Sequence, residues 1–244
     1  VPEIAADTYK GARGKVLAVG GSEEYMGALQ LATCAALRSG AGLIHAGVLR
    51  SQAPYFYACK ADEIITLPLN SARKGIFDLA SAEEILKQIS ERNILSLALG
   101  PGLITEEEAT KQMVYQILKE SKAAIVLDAG GLNALEGRPS LLRKAEGKIV
   151  ITPHLGEMQR LTGKTIEEIK SNRLDIAGEF AASYNTVVVL KGDERNQTIV
   201  AEPRGSIYIN TTGNRYMATA GTGDVLTGII AGFIARGLPV FEAA

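Results

Sequence analysis

Short runs of branched apolar residues recur along this chain at intervals that leave room for one helix between each pair. That alternation is the strongest constraint on its fold. The runs at 15–20, 42–49, 63–67, 95–99, 124–128, 148–152 and 186–190 are continuously apolar rather than alternating, as strands buried on both faces are. Helical patterns fill gaps at about 28–39, 81–90, 105–120 and 166–183. Thr105, followed by Glu106, Glu107 and Glu108, reads as a helix start with a capping hydroxyl and acids in the first turn. Strand, helix and strand in repetition predict an α/β fold, a doubly wound and mostly parallel sheet flanked by helices. Near the C-terminus, 197–201 and 206–210 flank Glu202-Pro203-Arg204-Gly205 and read as a small β-hairpin. A last helix from Gly223 carries an apolar stripe at 225, 226, 229, 230, 233 and 234, with Gly228 and Gly232 suited to close packing. With 244 residues and no repeat or linker, a single domain over 1–244 is expected.

Composition removes several classes of function. A net charge of −1 gives no electrostatic case for nucleic acid or an anionic membrane. No apolar run is long enough to span a bilayer, and the first residues lack a signal-peptide pattern. Cys34 and Cys59 match neither a metal spacing nor a disulfide framework, and read as packing residues in a reducing, cytoplasmic setting.

In such folds ligands collect beyond the carboxyl ends of the strands, and the unusual residues of this chain fall there. Gly20-Gly21-Ser22, Gly100-Pro101-Gly102, Asp128, Pro153-His154 and Lys191-Gly192 each follow a predicted strand. His45, in the middle of one, reads as a core or interface residue.

Two constellations carry chemistry. Gly221-Thr222-Gly223-Asp224 opens the last helix. One reading is a glycine turn with an acid in the first helical turn. The other is an anion hole made by unobstructed N–H groups, with Asp224 as a base beside a phosphate. It is not a P-loop, because no lysine follows the last glycine, and Gly11-Ala12-Arg13-Gly14 precedes the first strand and so makes no dinucleotide fingerprint. In Thr152-Pro153-His154-Leu155-Gly156-Glu157, His154 and Glu157 stand three residues apart at a helix start. Glu157 is either a capping acid or a group that holds hydrated magnesium, and His154 either a turn residue or a ligand to a phosphate or polar group.

Taken in order, Gly20–Ala28, Gly100–Leu103, Thr152–Glu157, Leu190–Gly192 and Gly221–Asp224 resemble the ADP/ATP-dependent NAD(P)H-hydrate dehydratases, a branch of the ribokinase-like superfamily. The resemblance runs from about residue 10 to 237. It implies a repair reaction in which ADP or ATP phosphorylates the C6 hydroxyl of hydrated NADH or NADPH and phosphate then eliminates, restoring NAD(P)H. Asp224 would be the base, and Ala28, Gly102, His154 and Asp224 would line the hydrate site. Lys191, Gly192, Asp193, Glu194, Arg195, Gly221, Thr222 and Gly223 would contact the nucleotide, and Glu157 would organise Mg2+ through water. Of the two nucleotides, ADP is the expected one.

The resemblance also implies a homotetramer and a fused or separate epimerase for the same hydrate. The start at Val1 fits a module cut from a longer bifunctional chain, while the family usually continues beyond the equivalent of Ala244. Two further departures bear on the site. Asp193-Glu194-Arg195-Asn196-Gln197 intervenes before Thr198, and Gly130 stands where an acid is common, which leaves the loop after Asp128 without an assigned role. The rival expectation is a vitamin kinase of the same superfamily; these generally show Asn where this chain has His154.

Overall fold

The computed structural model describes residues 8–145, 148–192 and 197–244. The elements follow as β1 (Lys15–Val19), α1 (Met26–Arg38), β2 (Leu43–Leu49), α2 (Ala53–Cys59), β3 (Ile65–Leu69), α3 (Leu79–Arg92) and β4 (Ser96–Leu99). Then come α4 (Glu108–Glu120), β5 (Ala124–Leu127), α5 (Gly130–Asn133), β6 (Ile149–Ile151), α6 (Leu155–Thr162), α7 (Ile166–Ser171), α8 (Arg173–Tyr184) and β7 (Val187–Leu190). The chain closes with β8 (Thr198–Ala201), β9 (Ile207–Asn210), α9 (Thr222–Ala235) and α10 (Val240–Ala243).

These strands form one sheet in the order β3-β2-β1-β4-β5-β6-β7-β8-β9. From β3 through β7 every pairing is parallel, and the C-terminal hairpin adds β8 and β9 antiparallel at one edge. The chain runs outward from β1 to β3, returns past β1 through α3, and then builds the sheet in the opposite direction. The reversal places a topological switch point between β1 and β4, where open α/β sheets bind ligands.

The pleat sorts the strand residues into two cores. Leu17, Val19, Leu97, Leu99, Ile125 and Leu127 face α3, α4 and α8. Their neighbours Val16, Ala18, Ala98 and Val126 face the opposite layer, with Leu29 of α1 and Ile230 and Ile234 of α9. Close packing of α1 on α9 depends on Gly228: a Cβ there would lie 2.1 Å from the Ala32 carbonyl oxygen. His45 is buried in β2 with Nδ1 3.3 Å from the Val16 carbonyl, a core histidine whose pKa burial lowers.

Three predicted boundaries move. The strand expected at 63–67 is β3 at Ile65–Leu69 and runs through Pro68; as an edge strand paired only with β2, it has no second neighbour to need the missing N–H. Thr105 caps nothing, because α4 begins at Glu108 with Glu107 as its N-cap. The helix expected at 166–183 breaks at Asn172 (φ −131°, ψ 38°) into α7 and α8. The break turns the buried Arg173 toward the carbonyl oxygens of Leu190, Lys191 and Gln197, at 3.2, 3.1 and 3.0 Å.

Candidate active site

The loops after β1 and β4 meet at the switch point. Gly21 N–H donates to Pro101 O at 2.9 Å and Ser22 N–H to Gly102 O at 2.7 Å. A Cβ on Gly102 would lie 2.4 Å from the Tyr25 carbonyl oxygen and 3.2 Å from the Ala28 Cβ, so Gly102 and Ala28 adjoin. Both are partly open to solvent.

Across the rim, α9 starts at Gly221 (φ 89°) without any side-chain cap. Thr222 N–H makes a long bond to Thr219 O at 3.4 Å; the N–H groups that follow it in the first turn are left for a ligand, and the helix dipole favours an anion there. Asp224 sits in this turn with its pKa raised to about 6, first by burial and then by the Asp128 carboxylate, against an opposing pull from Lys191. The site thus holds a carboxyl that ionises only near neutral pH beside N–H groups suited to phosphate. The Thr222 hydroxyl lies 3.2 Å from that of Thr219.

Asp128 organises this end of the site and is 2% exposed. Its Oδ1 accepts from Thr152 Oγ1 at 2.7 Å and from Lys191 Nζ at 3.0 Å, and its Oδ2 accepts from Thr227 Oγ1 at 2.9 Å. One carboxylate thereby joins the ends of β5, β6 and β7 to the second turn of α9. Gly223 lies against this pair: a Cβ there would be 3.4 Å from Lys191 Nζ and 3.7 Å from Asp128 Oδ2. Lys191 Nζ also faces Glu157 Oε2 at 3.7 Å. Its ammonium bridges two buried carboxylates and stays partly open to solvent.

His154 and Glu157 cap α6 reciprocally. His154 Nδ1 accepts from the N–H groups of Gly156 and Glu157 at 3.0 and 3.2 Å, and Glu157 Oε2 accepts from His154 N–H at 2.8 Å. The capping reading of Glu157 is thus present in the structure. Since Nδ1 accepts, the neutral ring carries its hydrogen on Nε2, which lies 3.6 Å from Glu157 Oε1. Burial lowers the His154 pKa, with Glu157 opposing and Lys191 and Arg160 reinforcing.

Among the described residues no three His, Cys, Asp or Glu side chains are disposed to hold a metal. Glu157 is 5% exposed and held by its cap. This donor set fits magnesium carried in by nucleotide phosphates and kept in its water shell, rather than a protein cage. Gly192 N–H donates to Thr198 Oγ1 at 3.1 Å. Asp193, Glu194 and Arg195, expected on the nucleotide, lie outside the described residues.

The structure brings Asp224, Gly223, Lys191, Glu157 and His154 into one connected cluster, with Ala28 and Gly102 at the β1/β4 side of the same rim. Sequence reasoning missed Asp128 as the hub, along with Thr152, Thr227 and Arg173. Asp128 had one visible signal, a carboxylate ending an apolar strand on the ligand rim.

Residues 16–244 match a family model described as NAD(P)H-hydrate dehydratase. The chain belongs to the NAD(P)H-hydrate dehydratase family. It is 43% identical over 244 residues to a bifunctional NAD(P)H-hydrate repair enzyme of Moorella thermoacetica, covering 100% of this chain and 45% of that protein. It therefore spans about half the length of the bifunctional relatives it matches. An ADP-dependent (S)-NAD(P)H-hydrate dehydratase of Bacillus subtilis is 36% identical over 234 residues, which cover 96% of this chain and 77% of that one. A crystal structure of an ADP/ATP-dependent NAD(P)H-hydrate dehydratase from Bacillus subtilis, co-crystallised with ATP/Mg2+, superposes with a TM-score of 0.80 at 32% identity, covering 100% of this chain and 80% of that one. The fold is the ribokinase-like one expected from the motifs.

Proposed function

We propose that this dehydratase-family chain converts NAD(P)H hydrate to NAD(P)H with ADP or ATP as phosphoryl donor. The observation that carries the reading is Asp224, a carboxyl with pKa near 6 in the uncapped first turn of α9, beside the Lys191–Asp128 pair. Ionised Asp224 takes the proton from the C6 hydroxyl as its oxygen attacks the terminal phosphorus, and the bond from phosphorus to the nucleotide leaving oxygen breaks. The Gly223 N–H in the first turn of α9, joined by Thr222 N–H as it leaves its long bond to Thr219 O, and the Lys191 ammonium hold the charge spread over the phosphoryl oxygens. The C6–O bond then breaks, inorganic phosphate leaves, and loss of a ring proton restores the double bond.

Ala28 and Gly102, small and partly open, leave room for the nicotinamide ring, and the His154 Nε2 hydrogen can donate to it. Lys191 and Gly192, with Asp193, Glu194 and Arg195, would meet the nucleotide. Magnesium, when bound, neutralises phosphate charge, and Glu157 would meet its water shell. An epimerase for the other hydrate isomer would come from a fused or separate module. Self-association, with a homotetramer expected, is supported by the edge strand β9, where Ile207, Tyr208 and Ile209 stand exposed. A cytoplasmic location is supported by two free cysteines and by the lack, among the described residues, of any helix long and apolar enough to cross a membrane.

The test incubates the protein with hydrated NADH or NADPH, magnesium and ADP or ATP, following absorbance of the reduced nicotinamide. Recovery that requires the nucleotide is expected. A stable phosphate ester, or no recovery with either nucleotide, refutes the reading.

A further inference from the structure

A cavity of about 270 Å3 opens at the carboxyl ends of β2 and β3, on the same rim. Its lining includes Arg50, Ser51, Asn70, Ser71, Arg73 and Lys74. Three of these six are cations, in a chain whose net charge is −1. The walls are fixed from behind. Arg50 Nε donates to Asn70 Oδ1 at 2.9 Å, and Asn70 N–H donates to Glu84 Oε2 at 2.8 Å. Asp78, which caps α3, accepts from Ser71 Oγ at 3.0 Å and from Ala72 N–H at 2.7 Å. Arg73 pairs with Glu107 at 2.9 Å across an exposed surface, whereas Lys74 has no carboxylate partner among the described residues. A cavity that presents the Arg50, Arg73 and Lys74 cations beside the Ser51 hydroxyl suits a phosphate monoester.

Gln52, next in sequence to Ser51 of the lining, ties this end of the rim to the loop after β1. Buried Gln52, with its amide oriented to satisfy both neighbours, donates to Gly21 O at 3.0 Å and accepts from Glu23 N–H at 3.2 Å, just below the loop that leads to Ala28. From the β5 end, where Asp128 acts on Asp224, to the β2/β3 ends is three to four strand spacings, or about 14–19 Å at ~4.8 Å each. An extended dinucleotide spans a distance of that order.

We propose that the Arg50–Lys74 cavity receives the phosphate on the adenosine 2′ oxygen of NADPH hydrate and so separates it from NADH hydrate. The proposal rests on the reading of the rim as an NAD(P)H-hydrate site, and names where the far end of that substrate lies.

Two measurements test it. First, KM is determined for both hydrates with the wild type, Lys74→Gln and Arg50→Gln. The ratio of KM for NADPH hydrate to KM for NADH hydrate should rise about tenfold per cation removed, as loss of a charged hydrogen bond predicts. An unchanged ratio in both variants overturns the proposal while leaving the dehydratase reading intact. Second, calorimetry compares adenosine 2′,5′-bisphosphate with adenosine 5′-monophosphate in the presence of saturating ADP, which fills the co-substrate site. The bisphosphate should bind more tightly, and Lys74→Gln should remove that advantage. Equal affinities in the wild type refute the cavity assignment even if the protein turns over neither hydrate. Lys74 is exposed and has no carboxylate partner among the described residues, so its variant keeps the test open should Arg50→Gln unfold.

Discussion

Replacing Asp224 by Asn should make the protein more stable at alkaline pH while removing its turnover. Asp224 has its pKa raised from 3.8 to about 6, chiefly by burial. The folded state therefore binds this proton more tightly than the unfolded chain does. The stability that goes with the bound proton is fully present below about pH 4, the unfolded value, and is lost as pH rises through about 6. A shift of roughly two units corresponds to about 3 kcal/mol at most. The group is partly open to water, so screening reduces this to about 1–2 kcal/mol. Asparagine has no proton to lose. Urea unfolding of the two proteins without nucleotide should show the variant gaining about 1–2 kcal/mol on the wild type between pH 4 and pH 8. Turnover should fall about 10²–10⁴-fold, the usual worth of a general base. ADP affinity should hold or rise, because a negative charge beside the phosphate site has gone. A stability difference that stays flat with pH, or turnover that survives, would refute the assignment of Asp224 as a buried base.

Asp128→Asn should move the acid limb of the pH–kcat profile to lower pH. The charge that helps raise the Asp224 pKa is removed, and Lys191, which opposes it, loses its 3.0 Å partner; of the other titratable groups there, Glu157 still faces Lys191, and burial holds the His154 pKa below its ordinary value. A limb that stays near pH 6, or moves up, contradicts that electrostatic account. Gly228→Ala would set a Cβ 2.1 Å from the Ala32 carbonyl oxygen. Separating α1 from α9 should cost about 1–3 kcal/mol, lowering Tm by roughly 3–10 °C for a chain of this size, and an unchanged melting curve would show that the contact relaxes freely.

Every strand predicted from apolar runs is present, because a strand buried on both faces leaves that pattern whatever its neighbours do. Connections were less visible. The helices α2, α5 and α10 are too short for periodicity to register, and the break at Asn172 follows from where Arg173 must point, a tertiary demand. In the site, Asp224, His154 and Glu157 stood out because glycine, proline and helix-start chemistry surround them. Asp128 ends one of several strands, and its partners Thr152, Lys191 and Thr227 are 24, 63 and 99 residues away. Nothing local could reveal that one carboxylate collects all three. The neighbouring Gly130, in place of an acid, leaves the loop without a polar signal, although Asp128 just before it holds the ammonium of Lys191.

The start of α9 explains how the fold tolerates such a site. Helices α3, α6 and α7 each begin with a reciprocal capping box. Helix α9 begins at Gly221 without one, as several others do, and its open turn lies beside the Asp128 hub, to which Thr227 in the next turn is bonded. Leaving that turn uncapped forgoes about 1 kcal/mol, and the partly buried, ionisable Asp224 adds strain of similar size above pH 6. The compensation lies further along the same helix. Thr227 hydrogen-bonds to Asp128, Gly228 meets α1 at backbone distance, and Ile230, Ala231 and Ile234 are buried in the core against the sheet. Anchored from its second turn onward, the helix can hold its first turn rigid and unsatisfied, a state that a phosphoryl group would relieve on binding. The same residues that stabilise α9 therefore pre-organise its open end, and a variant that loosens α9 from α1 should lose affinity for nucleotide before it loses its fold.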